Sequence, residues 1–142
     1  MSIIIELADV IVAELRAEPL QIDAVRAYRP EFELPELQTL RVSVVPRGIE
    51  ITSSNRSLNR HDISIDVGVQ KKVDADDSTA LDSLMMLVQR IADQLRIKRL
   101  NLPGGGGAVW SKTANDPIYS PEHLQTKNVF TSVLTFTFCV VR

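Results

Sequence analysis

The chain has little of what most catalytic chemistry needs. Among its 142 residues are one cysteine, Cys139, and two histidines, His61 and His123. A single cysteine excludes an intramolecular disulfide, so folding cannot depend on oxidation, which fits a reducing cytosol. A zinc site needs about four convergent Cys, His or carboxylate ligands, and these residues are too few and too scattered to supply them. A basic excess is missing too: 16 Lys and Arg stand against 18 Asp and Glu, for a formal net charge of −2. Free-standing nucleic-acid binders usually carry that excess, because phosphate neutralisation supplies most of their affinity. No run approaches the ~18–20 uninterrupted apolar residues of a membrane span, so no membrane partner is expected. The start, Met-Ser-Ile-Ile-Ile-Glu-Leu-Ala-Asp, lacks a basic region and is interrupted by Glu6 and Asp9. It does not read as a signal peptide.

What is there is ordinary for a globular chain. The apolar fraction is 44% and the charged fraction 24%. The length fits a single domain, residues 1–142, with enough chain to bury a core.

Hydrophobic spacing divides the chain into elements. Ile4, Leu7, Ala8, Ile11, Val12 and Leu15 recur at helical intervals and predict a helix over 3–17, with Ser2 as its cap and Pro19 as its stop. A first strand is expected over 22–28, followed by a loop bracketed by Pro30 and Pro35. Residues 40–52 read as a hairpin, because Pro46-Arg47-Gly48 is a turn signal between two short alternating runs. A polar loop follows over 53–60. Over 61–73, Ile63, Ile65, Val67 and Val69 face one way while Asp62, Ser64, Asp66 and Gln70 face the other, the mark of a half-buried strand. The second helix is expected over 79–98, capped by Ser78. Leu81, Leu84, Met85, Val88, Ile91, Ala92 and Leu95 form its apolar stripe, and Arg96, Lys98 and Arg99 gather at its C-terminal end. Residues 129–141 form a long strand with Phe130, Leu134, Phe136, Phe138 and Val140 on one face. Helix, strands, helix, strand without a repeated βαβ unit predicts an α+β fold. Its sheet would be antiparallel or mixed, of about four to six strands, with two main helices on one face.

Between the second helix and the last strand lies a long connection, residues 101–128. It contains four consecutive glycines, Gly104 to Gly107, and the single tryptophan. A short strand around 108–112 is expected inside it. The glycine run lacks the Lys-Ser/Thr and the following helix of a phosphate loop, and reads as a flexible hinge. Trp110, Asp116, Pro117, Ile118 and Tyr119 stand away from periodic core positions. Two readings of the large ones remain open: exposed anchors of an interface, or side chains folded back over the sheet.

The search for chemistry finds separate residues and no constellation. His61 and Asp62 are adjacent in a strand and point to opposite faces, so they make no acid–base pair. His61 reads as a solvated strand-start residue, and His123 as a loop or short-helix surface residue. Cys139 reads as a small apolar strand residue. Arg47, Arg56 and Arg60 form a basic loop that is either solvated or in contact with phosphate.

Three stretches, RAYRPEFELPELQTLRVSVVPRG, HDISIDVGVQKKV and NDPIYSPEHLQTKNVFTSVLTFTF, together with the order of elements, resemble the tail terminator proteins of tailed bacteriophages. These are the tail completion proteins like minor tail protein U. The resemblance implies a virion protein of the neck, assembled in the host cytoplasm, without cofactor, metal or turnover. It implies a ring, commonly hexameric, that caps the tail tube and meets the head–tail connector. Its partners are then other copies of itself, the tail tube protein and the connector proteins, with a passing contact to DNA in the ring lumen. The interface candidates are Trp110, Asp116, Pro117, Ile118, Tyr119, Arg56 and Arg60. A head-completion or connector role in the same neck is the alternative, followed by a nucleic-acid-binding module and, last, a small enzyme.

Overall fold

The computed structural model describes residues 2–28, 38–96 and 99–142. The loop expected around Pro30 and Pro35 and the basic residue Lys98 lie outside that range. The described elements run in the order α1 (Ile3–Arg16), β1 (Ala24–Arg26), β2 (Arg41–Ser53), β3 (Asn59–Lys72), α2 (Ser78–Arg96), β4 (Leu100–Asn101), β5 (Gly107–Ala114), α3 (Pro121–Lys127) and β6 (Val129–Val141). The strands order as β1-β2-β3-β6-β5-β4 in a six-stranded sheet. β1 is parallel to β2, and every other pairing is antiparallel. The fold is thus α+β with a mixed sheet.

Alternation in β3 and β6 sets the core. Ile63, Ile65 and Val67 pair with Phe138, Phe136 and Leu134, and all six are buried on one face. Against that face lie Leu7, Ile11 and Leu15 of α1 and Leu84, Val88, Ile91 and Leu95 of α2. Each buried side chain of this size contributes roughly 1.5–3 kcal/mol before its entropy cost. Helix α2 buries its stripe as its spacing predicts, with Leu81, Met85 and Ala92 half-buried beside it. Its cap differs from the expectation. Ser78 is already helical, and the Asp77 carboxylate accepts the Ala80 N–H at 3.1 Å, so Asp77 closes the helix start. Ser2 stands at the α1 cap position in extended backbone, but its hydroxyl makes no capping bond.

The hairpin expected over 40–52 is not formed. β2 runs through Pro46-Arg47-Gly48 as one strand, with a bulge between Pro46 and Gly48. The physical reason lies in β3. Its uninterrupted alternation offers a partner edge along its whole length, and an unbroken ladder satisfies more backbone groups than a turn would.

The connection over 101–128 is mostly structured. The glycine run is the turn of the β4–β5 hairpin and not a hinge. Leu102 N–H donates to the Gly106 carbonyl and Gly105 N–H to that of Leu102, both at 3.0 Å. Gly105 and Gly106 hold φ of 105° and 82°, a region L side chains rarely enter. Gly104 N–H donates to the Glu6 carboxylate at 2.6 Å. A third helix, α3, follows. The Ser120 hydroxyl caps it by accepting the His123 N–H, and left-handed Asn128 ends it. Where β5 stops pairing with β6, Ser120 N–H takes the Thr131 carbonyl and the Asn115 side-chain amide takes that of Val133.

One ion pair binds these parts together. Glu6, only 3% exposed, accepts both Arg142 guanidinium nitrogens, Nη2 at 2.7 Å and Nη1 at 3.3 Å. Arg142 Nη1 also donates to the Gly105 carbonyl. The first helix, the glycine turn and the end of β6 therefore meet at one bidentate pair.

Candidate functional site

Helices α1 and α2 cover one face of the sheet, and the other face is polar. Along β6 that face carries Thr131, buried beside His123 of α3, and the half-buried Val133, Thr135, Thr137 and Cys139, because alternate residues of a strand point to opposite sides. β3 adds Ser64 and Asp66. Thr135 Oγ1 donates to Asp66 Oδ1 at 2.7 Å, and Arg47 Nη1, brought in by the β2 bulge, reaches the same oxygen at 3.4 Å. Arg47, Ser64, Lys112, Asp116, Thr135 and Thr137 border a shallow depression of about 490 Å³. Asp66 there is held by a cation and a hydroxyl, which fixes its carboxylate in the polar surface.

The chemistry-bearing residues stay apart. His61 lies on the core side of β3 and is buried, contrary to the solvated position its sequence context predicts. Its Nδ1 sits 3.4 Å from the Val140 carbonyl. The strand start is not exposed because β6 flanks it along its length, pairing Val140 with His61. Cys139 faces the opposite side, half-buried beside Asp62. His123 stands on α3 with Nδ1 2.9 Å from Thr131 Oγ1, at the other end of β6. Among the described residues, no group of three or more His, Cys, Asp or Glu is placed to hold a metal ion. No described helix is long and apolar enough to cross a membrane.

Exposed apolar surface lies elsewhere, toward opposite ends of the sheet. Ile49 and Ile51 of β2 are 40% and 57% exposed, and Leu58 in the adjoining turn is 40% exposed. In the β5–α3 connection Ile118 is 53% exposed, between exposed Pro117 and half-buried Tyr119. The two readings of this connection divide between residues. Trp110 and Tyr119 fold back against the core: the Trp110 indole N–H donates to Thr113 Oγ1 at 2.7 Å, and the Tyr119 ring lies 5.8 Å from that of Phe130. Asp116, Pro117 and Ile118 remain outside. Arg56 is exposed in the β2–β3 turn, and exposed Arg60 pairs with Asp62 at 3.3 Å. Sequence reasoning did not single out Ile49 and Ile51. Their alternation with Glu50 and Thr52 resembles any half-buried strand, and only their place past the last described pairing of β1 shows that they are exposed.

Among solved structures, the fold is similar to a chain from the virion of a native gene transfer agent particle. The TM-score is 0.66, over 96% of this chain and 96% of that chain, at 16% sequence identity. No protein-family model matches the sequence. No curated protein matches it either.

Proposed function

We propose that this chain is a structural protein of a phage-like virion, and within it a tail terminator. It forms a ring, hexameric as in the family it resembles, that closes the tail tube and meets the head–tail connector. The observation that carries this reading is the fold likeness to a virion chain, which runs end to end in both proteins. The three stretches that resemble tail terminators narrow it from virion protein to neck. The site is consistent with the role. A polar sheet face and exposed apolar residues at its ends suit contact between subunits.

In this reading Asp116, Pro117 and Ile118 touch a neighbour directly, while Trp110 and Tyr119 brace that surface from behind. Arg56 and Arg60, at the β2–β3 turn, face the connector or the DNA in the lumen. The test is a deletion in the producing phage followed by microscopy of the lysate. Overlong tails are expected, together with this chain at the neck of wild-type particles by mass spectrometry and reconstruction. Tails of normal length left unjoined to full heads would instead make it a connector protein. Its absence from purified particles would end the virion reading.

A further inference from the structure

The sheet has two unfinished edges. On one side β1 pairs with β2 only at Val42 to Val44, and from Pro46 to Ser53 no described strand lies outside β2. On the other, β4 covers only Gly107 and Ala108, and no described strand lies outside β5 from Val109 to Ala114. Unpaired strand edges are templates for another chain, and proteins usually blunt them. Here the blunting stops early. Past the bulge at Pro46 and Gly48, β2 presents Ile49 and Ile51 to solvent.

The two edges lie at the same level. Ile49 pairs with Ile63, Ile63 with Phe138, and Phe138 with Trp110, so one row crosses the sheet from free edge to free edge. The edges also run in opposite directions, because β2, β3, β6 and β5 are successively antiparallel. A second copy in the same orientation therefore presents β5 antiparallel to β2, without a shift along the strands. Side chains match across such a junction. On the helix side Ile49 meets Trp110, and Ile51 stands two residues further along, past Val109. The bulge between Trp110 and Lys112 turns Lys112 onto the open face, level with Gly48, and Glu50 lies on that face level with Val109, so the two charges meet as diagonal neighbours. Glu50 and Lys112 are both exposed and have no ion-pair partner among the described residues. A two-fold pairing of β2 with β2 centred there would instead set Glu50 against Glu50, which like charges disfavour.

We infer that copies of this chain join edge to edge, the Pro46–Glu50 stretch of β2 in one pairing antiparallel with the Val109–Thr113 stretch of β5 in the next. Each copy uses two different edges, the heterologous contact that a cyclic operator closes into a ring. This deepens the assembly reading above and rests on it.

Cysteine trapping and charge reversal test it. In a Cys139→Ser background, Glu50→Cys with Lys112→Cys is treated with a short bismaleimide at high protein concentration. A ladder of covalent multimers is expected on a denaturing gel, and neither single cysteine should give one. By sedimentation, Glu50→Lys or Lys112→Glu alone should weaken association roughly tenfold, and the double reversal should restore it. Circular dichroism checks that each variant is folded. Association of the wild-type chain without the ladder, or dimers from Glu50→Cys alone, overturns the edge pairing and leaves the virion reading standing. A folded monomer that gives no ladder overturns it as well. Presence of the chain in purified particles then judges the virion reading separately.

Discussion

At the scale of single residues, the pair of Glu6 and Arg142 decides most. The Arg142 guanidinium lowers the Glu6 pKa. Burial opposes that shift, and the Gly104 N–H adds to it. A carboxylate whose folded pKa is depressed contributes stability that is fully present above its unfolded value. That contribution is lost as pH falls through the folded value. Glu6→Gln should therefore cost about 2–3 kcal/mol at neutral pH. This is at or below the low end for a buried pair, because the Arg142 side chain keeps 26% of its surface in water. Urea titrations should show this gap unchanged from pH 7 down to the ordinary carboxylate value of 4.5 and shrinking below it. A gap that stays constant into acid would mean that the variant acts by shape and not by charge. None of this was legible in the sequence. Glu6 reads there as one acid among the polar positions of an amphipathic helix, and nothing local ties it to an arginine 136 positions away.

At the scale of elements, the sequence carried more. Both long helices and the strands β3 and β6 follow from periodicity, because burial on one face leaves a repeat of 3.6 or 2 in the chain. Helix α2 gives the direct check. Val88 is 5% exposed within the core and Met86 is 66% exposed on the opposite side. Val88→Asp should cost at least about 3 kcal/mol, since it places an unpaired charge among apolar neighbours. Met86→Asp should stay within about 0.5 kcal/mol of wild type, as exposed substitutions do. Thermal melts of the two variants side by side measure the difference, and equal melts would mean that α2 does not pack as described. Where the sequence misled, the reason is specific. Pro46-Arg47-Gly48 has turn chemistry, and a bulge draws on the same residue types, so only the unbroken partner β3 distinguishes them. The glycine run reads as slack, because the carboxylate that anchors Gly104 comes from α1.

At the scale of the whole molecule, the question is which surface belongs to the monomer and which to the assembly. The connection between β5 and α3 poses it within two adjacent residues. Tyr119 packs its ring against Phe130, and Phe130 is fully buried. Ile118 next to it points outward, 53% exposed. The sequence placed both on one list of candidates, because a Gly- and Pro-rich stretch has no periodicity to separate inside from outside. Their energetics should separate cleanly. Tyr119→Ala removes a partly buried ring and should lower the stability of the isolated chain by about 2–3 kcal/mol. Ile118→Lys removes nothing from the core and should leave the melt within about 0.5 kcal/mol. In the producing phage the order should reverse in kind. Ile118→Lys should yield a folded, abundant chain that is missing from particles, since a charge at an apolar contact is costly to bury. Tyr119→Ala should still enter particles at permissive temperature, because its defect lies in folding. Quantifying the chain in lysate and in purified particles for both variants reads the two effects separately. Normal incorporation of Ile118→Lys would remove this connection from the assembly surface, and the free edges of β2 and β5 would then be the contacts left to carry the ring.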